Sequence, residues 1–392
     1  MMKLPAGGAD RRRAGKRVCG WSLPPVGVRS AVRPVLVALV VLVVLVAAVG
    51  MVVAPLPAQA TVRDELGAEG QARPVRAVGV DGPEAHNLAE AKWLRMRSPE
   101  PVLKPRGTND PNCRVDAAHP RAIVLLHGTD STFYEDYSLL GPVLVDRGWC
   151  VFGLDYGLGP KKGDGFGWQP MEQSAAQVDE LVGAAMASSK AQQVDVIGFS
   201  QGASVARAWM KWHARPGQVH GFIGLASPTR GGSFYGLAPM VDVLPAWLRQ
   251  AFVSPALLEL VAGSAFVEGL NAGGELPEGV VGYTIGTRFD EMMPEGKNQE
   301  LLSRPGSHVW IQDVCPGNLG GHMFLPYNPT AIDVVVALLE GKTAEQLGSV
   351  GVGVACPRVP LGAWMGDISV ADNLRKLGFY PTKRDAVSYT LG

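Results

Sequence analysis

From residue 121 onward, short apolar runs alternate with amphipathic stretches. Residues 122–126 (AIVLL), 151–157 (VFGLDYG), 194–198 (VDVIG) and 221–227 (GFIGLAS) read as strands, and 280–287 (VVGYTIGT) and 308–314 (HVWIQDV) complete the set. Runs that are apolar throughout, rather than alternating, belong to strands covered on both faces. Between them, 171–190 and 201–214 carry helical spacing. A last helix is expected near 329–340, where Pro329 follows Asn328 as a cap. Strands alternating with helices predict an α/β fold, a mostly parallel central sheet flanked by helices.

Three stretches break this rhythm. Residues 61–108 are rich in Pro, Gly, Arg and Glu and read as a partly ordered N-terminal extension. Residues 233–275 are apolar and punctuated by proline where a short crossover would suffice, and Leu248, Phe252, Leu257 and Leu260 fall near one helical face. This segment is expected to be an apolar helical insertion, a lid or cap on the main domain at 109–342. Residues 343–392 form a C-terminal extension with no assigned role.

The N-terminus carries a different pattern. Residues 1–34 hold eight basic side chains against Asp10 alone, and the next twenty (VLVALVVLVVLVAAVGMVVA, 35–54) have no charge. Ala58-Gln59-Ala60 then supplies the small-residue pattern of a signal-peptidase site. We expect 1–60 to be a signal peptide, cleaved near Ala60, and the protein to be secreted. The alternative is a membrane anchor through 35–54, since twenty apolar residues also span a bilayer.

Removing this segment changes the charge. The whole chain balances 36 basic against 36 acidic side chains. Loss of residues 1–60 takes eight bases and one acid, leaving a net charge of −7. A mildly acidic protein without a Lys/Arg cluster does not suit a phosphate backbone, so no nucleic-acid partner is expected. Cys19 leaves with the signal. Cys113, Cys150, Cys315 and Cys356 remain, an even number in an exported chain. Of three possible pairings, Cys113–Cys150 and Cys315–Cys356 join neighbours in sequence and are favoured.

Candidate chemistry centres on VDVIGFSQGASVARAWM (194–210), where Ser200 stands between a strand and a helix. A hydroxyl nucleophile needs a base, and the base needs an orienting acid. Gly198 and Gly202 let strand and helix approach closely, and the amide of Gln201 faces the same site. The bland alternative is a helix-capping serine, but a capping box would place Glu or Gln where Ala203 stands. Among seven histidines, the strand-end order requires one after the serine; His213 and His220 lie within about twenty residues of Ser200, on its own helix and the following strand, which leaves His308 and His322. His308 opens an apolar strand. His322 lies in the loop PGNLGGHMFLPYNP and is the expected base. The acid is expected on the preceding strand's loop as Asp290, with Glu291 second and Asp313 third. LLHGTD (125–130) ends the first strong strand. Its turn offers the amide of Thr129 as an oxyanion donor opposite Gln201, with the Thr129 hydroxyl as a possible third donor and His127 as a buried loop-former.

These segments together, with HPRAIVLLHGTDSTFYEDYSLLGPVLVDRGWCVFGLDYG, YTIGTRFDEMMP and GHMFLPYNP, resemble the secreted triacylglycerol lipases of actinobacteria, within the α/β-hydrolase superfamily. The resemblance covers roughly 109–342. It implies Ser200 as nucleophile, Asp290 as acid, His322 as base and Thr129 and Gln201 as oxyanion donors, and it also supports the Cys113–Cys150 bridge. SPTRGG (227–232) departs from the histidine-glycine-threonine-like stretch usual there.

The expected activity is a serine carboxylic ester hydrolase acting on lipid-like esters, with a lipid interface through 233–275. A cutinase-like polyester hydrolase and an envelope acyltransferase use the same residues. A non-catalytic lipid-binding scaffold is the reading from another class. The chain has no G-x-G-x-x-G after a strand, no phosphate-binding loop, no H-E-x-x-H and no C-x-x-C, so no cofactor or metal is expected. Nothing in it points to an oligomeric state.

Overall fold

A small parallel ribbon opens the described chain, with β1 (Val80–Asp81) pairing with β2 (Leu103–Lys104) and α1 (Leu88–Arg97) between them. The computed structural model describes residues 79–159, 165–233, 253–294, 296–347 and 354–359. All belong to one unit, Ala68–Gly392. The expected signal peptide with its 35–54 apolar run, Leu248 and Phe252 in the insertion, and most of the 343–392 tail lie outside the described residues.

The main sheet contains β3 (Ala122–Leu126), β4 (Val151–Gly153), β5 (Val194–Phe199), β6 (Val219–Leu225), β7 (Val281–Gly286) and β8 (His308–Trp310). Their order is β4-β3-β5-β6-β7-β8, and every neighbouring pair is parallel. All five residues of β3 are buried, because alternate side chains enter separate cores. Val124 and Val196 pack with α4 (Met171–Ser189) and α5 (Gln201–Trp212), through Val178, Val182, Val205 and Trp209. Ile123, Leu125 and Ile197 face the other side. There they meet Leu140 and Leu144, beyond α2 (Phe133–Tyr137), and Val334 and Val335 of a late helix. Each such side chain, fully buried, contributes roughly 1.5–3 kcal/mol. This doubly covered parallel sheet is the α/β-hydrolase fold.

Strand order reverses direction beside β3. From β3 the chain moves to β4 on one side, and β5 enters on the other. Loops leaving the C-terminal ends of β3 and β5 therefore diverge at a topological switch point, the usual place for a binding site in such sheets. The register Leu126↔Gly198 sets those two ends side by side.

Outside the sheet, Leu140–Asp146 forms α3, Pro255–Glu259 forms α6 and Ala265–Asn271 forms α7. The last two are what the structure describes of helix in the 233–275 insertion. Residues 308–314 do not continue as one strand. After Trp310 the chain turns into α8 (Ile311–Val314), because Ile311 and Val314 are buried three residues apart while Asp313 turns out to Arg288 at 2.8 Å. A strand would have put Asp313 on the same face as Ile311. The final long helix, α9 (Pro329–Leu339), is capped by Asn328, whose side chain accepts the Thr330 N–H. Ala344–Leu347 adds a short α10.

Disulfides join Cys113 to Cys150, just before β4, and Cys315, just after α8, to Cys356. The stretch 61–108, read as a partly ordered extension, is described from residue 79 onward. Over 79–108 it supplies β1, α1 and β2, and α1 packs on α2. Among the described residues no helix is long and apolar enough to cross a membrane.

Candidate active site

Ser200 occupies the sharp turn from β5 into α5. Its backbone is held at φ 51° and ψ −121°, a conformation costly for a residue with a Cβ. Two neighbours allow it by lacking side chains. A Cβ on Gly202 would lie 2.6 Å from the His127 carbonyl oxygen and closer still to that of Leu126, and one on Gly198 would strike the Ala203 backbone. The turn is tied down by the Ser200 N–H, which donates to Leu225 O at 2.8 Å. Its side chain makes no capping hydrogen bond to the helix. The hydroxyl points elsewhere.

It meets His322, whose Nε2 lies 2.9 Å from Ser200 Oγ. The other ring nitrogen, Nδ1, lies 2.9 Å from Asp290 Oδ2 and 3.1 Å from Oδ1. Asp290 is fixed in turn by the N–H groups of Met292 and Met293, which donate to Oδ1 at 2.9 and 2.8 Å. His322 and Asp290 are both buried. Burial alone would push the imidazolium down. The Asp290 charge and hydrogen bond, helped by Glu291 and Asp136, outweigh it and hold His322 above the ordinary histidine range. The protonated form of the ring is thus stabilised in place.

The runner-up residues sit elsewhere. His308 bonds Thr284 Oγ1 at 2.7 Å, and burial lowers its pKa to about 4. Asp313 pairs with Arg288 on an exposed edge. Glu291 approaches His322 from its backbone side, where Oε2 accepts the His322 N–H at 2.9 Å.

At the neighbouring strand end, the turn after β3 carries Thr129. His127 is fully buried and stacked on Tyr156 with centroids 4.1 Å apart, and burial lowers its pKa to about 3. A neutral ring with two partners has one tautomer. Nδ1 donates to Gly128 O at 2.8 Å, and Nε2 accepts the Tyr156 N–H at 3.1 Å. Gly128 O and the Thr129 N–H belong to one peptide, so this bond orients and polarises the candidate oxyanion donor. The Thr129 hydroxyl is not a spare donor. It donates to Gln201 Oε1 at 2.6 Å, while Gln201 Nε2 donates to Gly167 O at 2.9 Å. Gln201 therefore has two parts to play. Its amide lies in the first turn of α5, where N–H groups lack helical partners, and its side chain fastens the facing turn.

Three supporting residues were not singled out from the sequence. Asp136 accepts the Gly128 N–H at 2.6 Å and the Ser131 hydroxyl at 2.7 Å. Lys92, from α1, donates to Asp130 O at 2.9 Å. Tyr156 donates its hydroxyl to His127 O. The available signal was FYEDY (133–137), two carboxylates set among aromatic residues in a segment too apolar to be solvated. Among the described residues no cluster of three His, Cys, Asp or Glu side chains is placed to hold a metal ion.

The family described as palmitoyl protein thioesterase matches residues 122–262. No curated protein matches the chain. Among solved structures, lipase B of Aspergillus fumigatus is 18% identical with a TM-score of 0.47, covering 67% of this chain and 64% of its own. The mature lipase of Bacillus licheniformis is 16% identical with a TM-score of 0.43, covering 59% of this chain and 96% of its own. An esterase of Pyrococcus furiosus is 17% identical with a TM-score of 0.39, covering 57% and 82%. The chain thus spans under two thirds of the length of the Aspergillus lipase it matches.

Proposed function

We propose that the protein is a serine hydrolase that cleaves fatty-acyl esters through an acyl-enzyme on Ser200. The observation that carries this reading is the continuous relay from Ser200 Oγ through His322 to Asp290. As Ser200 attacks the carbonyl carbon, its proton passes to His322 Nε2. The tetrahedral oxyanion is held by the amides of Thr129 and Gln201. Collapse expels the alcohol, which takes the proton from Nε2. Water then gives its proton to His322 and attacks the acyl carbon, and fatty acid leaves as Ser200 Oγ recovers that proton. Asp290 keeps Nδ1 protonated throughout and stabilises the transient imidazolium.

The match over 122–262 favours a second leaving group, a thiol, because the family's name is that of a thioesterase. The same acyl-enzyme forms from an oxygen ester or a thioester. The two disulfides support a location outside the reducing cytoplasm, in keeping with a secreted enzyme that meets lipid through the 233–275 insertion.

Purified protein is tested with a fluorophosphonate probe, and with oxygen esters and thioesters of graded chain length, beside Ser200→Ala. Covalent labelling of the wild type alone, with turnover lost at least 1000-fold in the variant, is expected. Equal turnover in both proteins, or no labelling of the wild type, refutes the reading.

A further inference from the structure

Two adjacent carboxylates converge on one histidine, and they reach it from opposite ends. Asp290 holds the ring, whereas Glu291 Oε2 accepts the backbone N–H of His322 at 2.9 Å. The neighbouring Gly321 makes that reach possible, since a Cβ there would collide with Glu291 Oε2. Glu291 Oε1 is buried and has no hydrogen-bond partner among the described residues. A half-buried glutamate with one carboxylate oxygen enclosed and unpaired is a costly way to accept a single amide proton. A glutamine oxygen would accept the same proton without burying charge. What glutamate adds is the negative charge itself.

We propose that Glu291 is a positioning residue that fixes the His322 backbone between Ser200 and Asp290, and whose charge favours the imidazolium formed during acyl transfer. This rests on the reading of Ser200, His322 and Asp290 as a catalytic relay. The charged groups facing the imidazole all act in the same direction. Asp290 and Glu291 come from the loop after β7, and Asp136 adds its charge from α2 once it ionises. The Phe199 ring at 5.3 Å and Ser200 complete its surroundings. Arg288, the nearest cation on that loop, is engaged with Asp313.

The test separates charge from hydrogen bond. Glu291→Gln keeps an acceptor for the His322 N–H and removes the charge, Glu291→Asp keeps the charge on a shorter arm, and Glu291→Ala removes both. The His322 titration is followed by NMR, with its resonance assigned from a His322→Gln spectrum. The pH dependence of fluorophosphonate inactivation is measured alongside. In Glu291→Gln the His322 midpoint and the acid limb of inactivation both move down by about one pH unit. In Glu291→Asp they stay near the wild type, and Glu291→Ala loses a further several-fold in rate. Should the Gln variant not fold, the contrast between Asp and Ala still reads whether the carboxylate at 291 moves the His322 midpoint. An unshifted His322 midpoint in a folded Gln or Ala variant, with normal wild-type inactivation, overturns the role of Glu291 alone. Absence of wild-type inactivation at Ser200 overturns the hydrolase reading together with it.

Discussion

Asparagine in place of Asp136 is expected to flatten part of the pH dependence of stability. Asp136 is enclosed in α2, beneath the turn that carries Thr129. Burial raises its pKa from 3.8 to about 7, against the opposing pull of the Gly128 N–H and the Ser131 hydroxyl. Between those two values the folded protein holds a proton that the unfolded chain has released. Its contribution to stability is therefore full below pH 4 and is lost as pH rises through 7. A gap of about three pH units, at roughly 1.4 kcal/mol each, amounts to about 4 kcal/mol. Asparagine preserves both contacts, because its oxygen accepts from Gly128 and its amide donates to Ser131 Oγ. Urea unfolding of both proteins with disulfides intact, at pH 4 and pH 8, reads this residue together with its effect on His322, because the groups it does not touch cancel in the difference. The variant should gain several kcal/mol on the wild type between those pH values. A difference that stays constant within about 1 kcal/mol would show that the buried carboxyl does not govern the slope, and the argument from burial would fail.

Gly202→Ala should lower stability by about 3 kcal/mol or more, because the new Cβ meets backbone oxygen at 2.6 Å or less. Gly183, inside α4 with nothing within 4 Å of a Cβ, is the control, and Ala there should raise stability by about 0.5–1 kcal/mol. Matching thermal melts for the two variants would contradict the packing explanation of the Ser200 turn. Replacing Cys113 and Cys150 together by serine reopens a loop of 37 residues, at an expected cost of about 4 kcal/mol by chain entropy. Calorimetry that finds the double variant as stable as the parent would mean that contacts, not the bridge, hold the β4 edge.

The strands were legible because a parallel sheet buries both faces of each strand, and AIVLL has no polar position to confuse with a helix. The residues of the site were legible for a related reason. His127-Gly128 and Ser200 follow directly on the end of a strand and Asp290 lies in the loop after β7 (Val281–Gly286), so chain order stands in for spatial order. The over-long strand at 308–314 arose because alternation and a single helical turn both bury Ile311, and only the outward Asp313 separates them. What stayed hidden depends on contacts distant in sequence. Lys92 reaches Asp130 across 38 residues, and Glu291 reaches the His322 amide across 31. Neither leaves a mark in local periodicity. Glu291 looked like a second choice for the ring of His322 when its partner is the main chain.

The two disulfides also determine how the molecule carries mechanical load. Tension applied from the N-terminal side passes from Cys113 directly to Cys150, and tension from the C-terminal side passes from Cys356 directly to Cys315. Residues 114–149 and 316–355 lie off that path. The first segment contains β3 and the Thr129 turn, and the second contains His322 and α9. A threading protease that pulls on the C-terminal end therefore strains β8 first, and one that pulls on the N-terminal end draws out β1, α1 and β2 and then strains β4, before either reaches the Thr129 turn or His322. Reduction of the bridges would put those parts in series with the pull.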